Sequence, residues 1–234
     1  MPAKPRENSG KSNAKRQETA VLLAKMAETI MSREGVRHTP LRRIAQAAEQ
    51  KNESVMQYHF GNRENLIAAV LDLTTGQVDA LRREMIEEFR KVTGGAPLSA
   101  RQIVHAMIQP VTCILSAREG QSHYVRFIGQ ISMDEEMWAR FRHRLHGETM
   151  PLCRDAYAEL VPHLPADLVH QRFGLALQTQ CYGLCGLERT METAAPRPED
   201  IEARIAGIVD AVEAILMAPL SSETVVALTR ARKI

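Results

Sequence analysis

TPLRRIAQAAEQKNESVMQYHFGNRENLI, residues 39–67, is the stretch on which the fold turns. Thr39 is a good helix N-cap, and Pro40 follows at the first helical position, where its missing N–H costs nothing. Leu41, Ile44, Ala45 and Ala48 then keep the spacing of one apolar helix face, and the helix is short. Glu49-Gln50-Lys51-Asn52 breaks that period. Asn52 can cap a further short helix carrying Val55, Met56, His59 and Phe60, and Gly61 ends it. Asn62 opens a long helix with the inner row Leu66, Val70, Thr74, Val78, Leu81, Met85 and Phe89. Unbroken to Lys91, it is about 43 Å long.

Two short helices around a tight turn, the second polar on its outer side, read as a helix-turn-helix. Leu41, Ile44, Ala45, Ala48, Val55 and Phe60 face inward. Lys51, Asn52, Glu53, Ser54, Gln57 and Tyr58 face outward, with chemistry that suits base edges and phosphates in a major groove. The alternative is a polar loop on the surface of some other helical bundle, in an all-α interaction or scaffolding protein without specific DNA readout.

Upstream, Leu22, Met26 and Ile30 form a helical row with Leu23 and Ala27 beside it, so the first helix runs to about Arg33 and ends at Gly35. Residues 1–16 lack any apolar period and are expected to form a disordered basic tail. Downstream, Gly94-Gly95-Ala96-Pro97 is the clearest break. Amphipathic segments follow at 99–117 (Pro110 a kink), 121–132, 135–161 (Pro151 a kink), 166–192 and 198–217. No segment alternates with period two for long enough to be a strand. The 4% of aromatic residues and the 11 methionines also fit helices better than sheets. The expected class is all-α: an N-terminal three-helix helix-turn-helix DNA-binding domain, then a C-terminal helical domain, to which the family resemblance given below assigns ligand binding and dimerisation. The expected division is a tail over 1–14, the DNA-binding unit over 15–62 with the linking helix to about 75, the helical domain over 76–220, and a C-terminal tail over 221–234.

Charge follows the same division. Residues 1–66 carry 12 Lys/Arg against 7 Asp/Glu, a net of +5, and residues 67–234 carry 18 against 21, a net of −3. A basic N-terminal unit on a mildly acidic body suits a polyanionic partner. No apolar run reaches the ~18 residues of a membrane span, and the basic start lacks an apolar signal-peptide centre, so no membrane partner and a cytoplasmic location are expected. Four cysteines without a CxxC argue against a disulfide framework or zinc ribbon. Cys181/Cys185 at i, i+4 and His143/His146 at i, i+3 have ligand spacing, but two ligands fall short of a metal site, so no metal or cofactor is expected. Only Cys153, beside Arg154, has an obvious basic neighbour to favour a thiolate. No GxGxxG, GxxxxGK or GxSxG occurs, and Asp134-Glu135-Glu136 reads as charge at a helix start, so no enzyme is expected.

The run Gln57-Tyr58-His59-Phe60-Gly61-Asn62-Arg63-Glu64-Asn65-Leu66-Ile67 resembles the end of the recognition helix and the start of helix four in the TetR family of bacterial transcriptional regulators. Thr39 to Ala48 looks like that family's second helix. The resemblance covers roughly residues 15–75. It implies phosphate contacts at Thr39, Tyr58, His59 and Arg63, base reading from Lys51 to Gln57, and Arg42 on the same face as a further DNA-contacting candidate. The family's turn usually carries a Gly. Counting forward from Ile44 puts it at Glu49, and counting back from Phe60 puts it at Gln50, so the turn lacks the Gly and is one residue longer. Either it has another shape or a polar residue tolerates the backbone there.

The resemblance also implies a homodimer through the last two long helices, a double-stranded palindromic operator, and a small-molecule effector that releases a repressor. Ile201, Ile205, Ile208, Val212 and Ile215 have the 4-3-4-3 spacing of a helix–helix seam, with Phe173, Leu177, Cys181, Leu184 and Cys185 beside it. Candidate effector-pocket walls are His105, Met107, Gln109, Cys113, Phe127, Gln130, Trp138, Phe141, Tyr157, Gln178 and Cys181, with Gln180 a further polar candidate.

Overall fold

The computed structural model describes residues 8–50, 52, 54–118, 121–194 and 196–231. These form eleven helices and no strand: α1 (Asn8–Glu34), α2 (Leu41–Ala47), α3 (Ser54–Phe60), α4 (Arg63–Thr93), α5 (Ala100–Ala117), α6 (Tyr124–Ser132), α7 (Glu135–His146), α8 (Met150–Leu160), α9 (Ala166–Ala194), α10 (Pro198–Met217) and α11 (Ser222–Ala231). The all-α reading holds. Among the described residues no single helix is long and apolar enough to cross a membrane, and α10 and α11 reach that composition only as a pair bent by 49°.

α1 begins at Asn8, inside the stretch expected to lack structure. Residues 13–18 are exposed, so packing does not hold this turn-and-a-half in place. Once the apolar segment from Leu23 to Met31 is nucleated by burial, each added residue gains a hydrogen bond without a new nucleus. The start of α2 is also displaced by one position. Pro40, not Thr39, is its N-cap, and it makes no side-chain cap. The Thr39 hydroxyl instead donates back to the Gly35 carbonyl at 2.8 Å, closing the turn after α1.

Two cores form. The first joins α1, α2, α3 and the start of α4 through Leu23, Ile44, Phe60, Leu66 and Leu71, and it extends onto Phe127 and Ile131 of α6 and Met137 and Phe141 of α7. The second gathers the later part of α4 with α5, α8, α9, α10 and the first turn of α6. α4 and α6 therefore belong to both. Along α4 the inner row agrees with expectation as far as Val78. Beyond it the buried positions move to Arg82 and Ile86, while Leu81, Met85 and Phe89 are only half-buried.

Pro110 does not end α5, which runs through it. Lacking an N–H, it leaves the Ala106 carbonyl four residues back without its helical partner. Arg82, 2% exposed, fills that place: its Nε donates to Ala106 O at 3.0 Å, and its Nη1 donates to Thr149 Oγ1 at 2.9 Å. Gln180 similarly donates to the Met107 carbonyl at 3.2 Å.

The segment 135–161 is two helices, not one kinked at Pro151. The break falls at Gly147, with φ 60 and ψ −159, and Pro151 sits harmlessly in the first turn of α8. Asp79 of α4 organises this break by accepting from the backbone N–H of Glu148 at 2.7 Å and from the Thr149 hydroxyl. The apolar stripe of α10 also differs from expectation. Val212 is fully buried, and Ile201, Ile205, Ile208 and Ile215 pack on the second core of the same chain, with Ile208 against Gly183 of α9. The stripe's partner is α9 of the same chain. Ser222–Ala231, within the expected C-terminal tail, is helical, with Val225 and Val226 exposed.

Gly147 occupies a backbone region open essentially to glycine alone, and a Cβ there would overlap the Asp79 carboxylate. Gly147→Ala is expected to cost about 3 kcal/mol or more, read as a lowered urea midpoint with an unchanged m-value.

Candidate nucleic-acid interface

The turn between α2 and α3 answers the question its sequence posed. Glu49 has φ 56, the one positive value outside glycine among the described residues. The Gln50 N–H donates to Ala45 O and the Glu49 N–H to Gln46 O, both at 3.0 Å. This pair of bonds is a Schellman closure with glutamate at the left-handed position that usually takes glycine. Counting forward from Ile44 therefore locates the special residue, and a polar side chain tolerates it.

α3 then presents two faces. Met56 and Phe60 are buried in the first core. Asn52, Ser54, Gln57 and Tyr58 are exposed, Tyr58 at 63%. Asn52 Oδ1 accepts from the Ser54 N–H at 2.9 Å and from its hydroxyl at 2.5 Å, fixing the helix start as its sequence suggested. Arg42 is exposed on α2. Lys51 and Glu53, also expected on this face, lie outside the described residues. One contact was not anticipated: the guanidinium of Arg16, on the extension of α1, sits 4.8 Å from the Tyr58 ring centre.

Three residues expected to hold phosphates are committed inward. Thr39 is 1% exposed, its hydroxyl engaged with Gly35. Arg63 donates to the carbonyls of Val36 at 3.0 Å and Thr39 at 2.7 Å, so its charge ties α4 to the turn between α1 and α2. His59 is half-buried, and burial followed by the nearby Arg16 charge lowers its pKa. The exposed set is thus Asn52, Ser54, Gln57, Tyr58 and Arg42, framed by these anchors.

α6 connects this unit to the rest of the chain. Its first N–H groups have no partners within the helix, and two buried carboxylates from other helices meet that end. Glu188 of α9, 1% exposed, accepts from the N–H of Val125 at 3.1 Å and of Arg126 at 3.0 Å. Glu28 of α1, 4% exposed, accepts from the His123 N–H at 3.1 Å. Arg126 pairs with Glu188 and Glu192, Glu192 pairs with Arg33, and Arg118 pairs with Glu28. Farther along α6, Gln130 accepts from the Val36 N–H at 2.9 Å and donates to Ser32 O at 2.7 Å, while Arg37 pairs with Asp134 just beyond. The sequence signal for Glu28 and Glu188 was an acidic residue on an otherwise apolar inner row: Glu28 beside Ala24 and Met31, Glu188 four after Leu184.

Residues 105–214 match the family model described as a tetracyclin repressor-like C-terminal domain. The match, over just under half of the chain, supports membership of the TetR family. A domain of this kind implies a TetR-family regulator. No curated protein matches it closely enough to add to this.

The effector-pocket candidates of this chain do not converge. Phe127 and Phe141 belong to the first core and Met107 and Tyr157 to the second. Gln130 clamps α1, Tyr157 donates to Leu216 O at 2.8 Å, and Trp138 meets His146 edge-on. Gln109 and Cys181 are half-buried, and Gln178 and Cys113 are exposed. Cys153, proposed from its neighbour Arg154 as the more acidic thiol, is 1% exposed, and burial pushes it up to about 11. Arg154 turns instead to Asp155 at 2.9 Å. Two buried atoms stand without a partner among the described residues, His105 Nδ1 on α5 and Gln180 Oε1 on α9.

Glycine is free of the left-handed penalty that Glu49 carries, so Glu49→Gly is expected to raise stability by roughly 0.5–1 kcal/mol in urea titration. His123, 2% exposed, accepts from Arg126 on Nδ1 at 2.5 Å and must be neutral there. Burial, then the charges of Arg126 and Arg33, bring its pKa to about 4. Because the folded value lies below the unfolded one, the unfolded chain takes the proton first. Stability present above pH 6.5 is lost as pH falls toward 4, by about 2 kcal/mol at pH 5. His123→Gln is expected to flatten that part of the urea-midpoint profile.

Proposed function

We propose that the chain is a homodimeric, sequence-specific DNA-binding repressor, released from a palindromic operator by a small molecule. The observation that carries the reading is the two-faced α3: Met56 and Phe60 lock it to α1 and α2 while Asn52, Ser54, Gln57 and Tyr58 remain in solvent. A helix so placed fits a major groove, and its amide and hydroxyl groups suit base edges and phosphates. The proposed DNA-binding unit spans 15–62 and the ligand-binding and dimerisation unit 76–220. Since the isoleucine stripe is internal, the proposed dimer face is the outer side of α9 and α10. There Leu175 and Tyr182 are exposed, and the small residues Gly186, Gly207 and Ala211 allow close approach. Two-fold symmetry then sets half-sites about 34 Å or a multiple apart. The effector is proposed to enter the second core, where Gln180 Oε1 calls for a hydrogen-bond donor.

A mobility shift with a palindrome from the chain's own upstream region tests this. Binding is expected to fall steeply with salt while keeping a preference over random duplex. Gln57→Ala or Tyr58→Ala is expected to lose about 1–3 kcal/mol of specific binding with the dimer intact. Equal affinity for random duplex would overturn the reading in favour of an all-α interaction protein.

A further inference from the structure

Cys181 and Cys185 stand one turn apart on α9, both half-buried, against Gly129 of α6. A Cβ at Gly129 would lie 3.2 Å from Cys185 Sγ and 3.7 Å from Cys181 Sγ, so the glycine leaves bare backbone over both sulfurs. Cys185 donates to the Val125 carbonyl at 3.4 Å.

We propose that Cys181 and Cys185 form a two-thiolate site for a soft monovalent cation of the copper(I) class, seated between α9 and α6. Spacing separates this from the other chemistries of a cysteine pair. Residues four apart on a helix hold their Cβ atoms about 5–6 Å apart, whereas a disulfide needs about 3.5–4.5 Å, so oxidation would have to distort α9. With bonds near the ~2.3 Å of a metal thiolate, a bridging cation spreads the sulfurs to about 4.6 Å and leaves the helix intact. Zinc takes four ligands, and among the described residues no cluster of three or more His, Cys, Asp or Glu groups could hold one. Two thiolates suffice for a soft two-coordinate ion. On binding, each thiol releases its proton as its sulfur–copper bond forms. One Cu(I) and two thiols give a bis-thiolate complex of charge −1 and two free protons, with no change of oxidation state.

The site has a mechanical consequence. Gly129 is next to Gln130, whose amide holds Ser32 and Val36 at the end of α1. An ion seated under Gly129 displaces α6 and loosens that clamp, which weakens operator binding; this coupling rests on the DNA-binding reading, while the site does not.

Full-length reduced protein titrated with Cu(I) against the chelator bicinchoninate decides the site. One tightly held ion per chain is expected, retained by Cys113→Ser, lost in C181S/C185S, and weakened about tenfold in Gly129→Ala, which keeps both thiols. Retention by the double variant, undiminished affinity in Gly129→Ala, equal retention of Zn(II), or ready disulfide formation with peroxide in place of copper binding would each overturn it. A mobility shift on the upstream palindrome decides the coupling. Copper is expected to release wild type and leave C181S/C185S bound, and unchanged affinity of copper-loaded wild type overturns the coupling. Failure of copper-free protein to select the palindrome overturns the DNA reading alone, because the chelator titration does not involve DNA.

Discussion

The amino end of α6 is the constraint on which the arrangement depends. A nine-residue helix is too short to be stable by itself, and its first N–H groups are buried where water cannot reach them. Glu188 from α9 and Glu28 from α1 converge on that end, each paired with an arginine. A carboxylate is favourable at a helix amino terminus, and a buried charge is tolerated only with a partner and hydrogen bonds. Removing Glu28 takes the carboxylate from the His123 N–H and from Arg118, and removing Glu188 takes it from the Val125 and Arg126 N–H groups and leaves Arg126 to Glu192. That mutual requirement fixes the position of α6 against α1 on one side and α9 on the other.

The boundaries of α4, the breaks at Gly35, Gly61 and Gly94, and the inner residues of α2 and α3 were legible in the sequence. They depend on local rules: apolar spacing, an Asn side chain at a helix start, a glycine at its end. Asn62 accepts from the Asn65 N–H, and Gly94 takes the left-handed conformation after Thr93. The outward face of α3 was legible for the same reason, since a seven-residue helix with Met56 and Phe60 inward has only one side left for Gln57 and Tyr58.

What was not legible depends on partners distant in sequence. Nothing near Thr39 says that its hydroxyl turns back to Gly35, and nothing near Arg63 says that two carbonyls between α1 and α2 claim its guanidinium. The break at Gly147 is decided by Asp79, 68 positions earlier in the chain. Pro110 marked an irregularity correctly, but the remedy, a buried Arg82 on another helix, is a tertiary fact. The pocket candidates divide between two cores because apolar periodicity identifies buried residues without saying which core receives them.

The sharing of α4 and α6 between the two cores bears on how the molecule comes apart. A linker that merely tethers two units lets one melt while the other persists. Here Leu66 to Leu71 and Val78 to Ile86 lie on one continuous helix, and Val125 and Ile131 on another, so opening either core strips contacts from the other. Partial denaturation of the amino-terminal half is thereby suppressed, and the chain behaves as one cooperative body in which a disturbance at either end is felt as strain throughout.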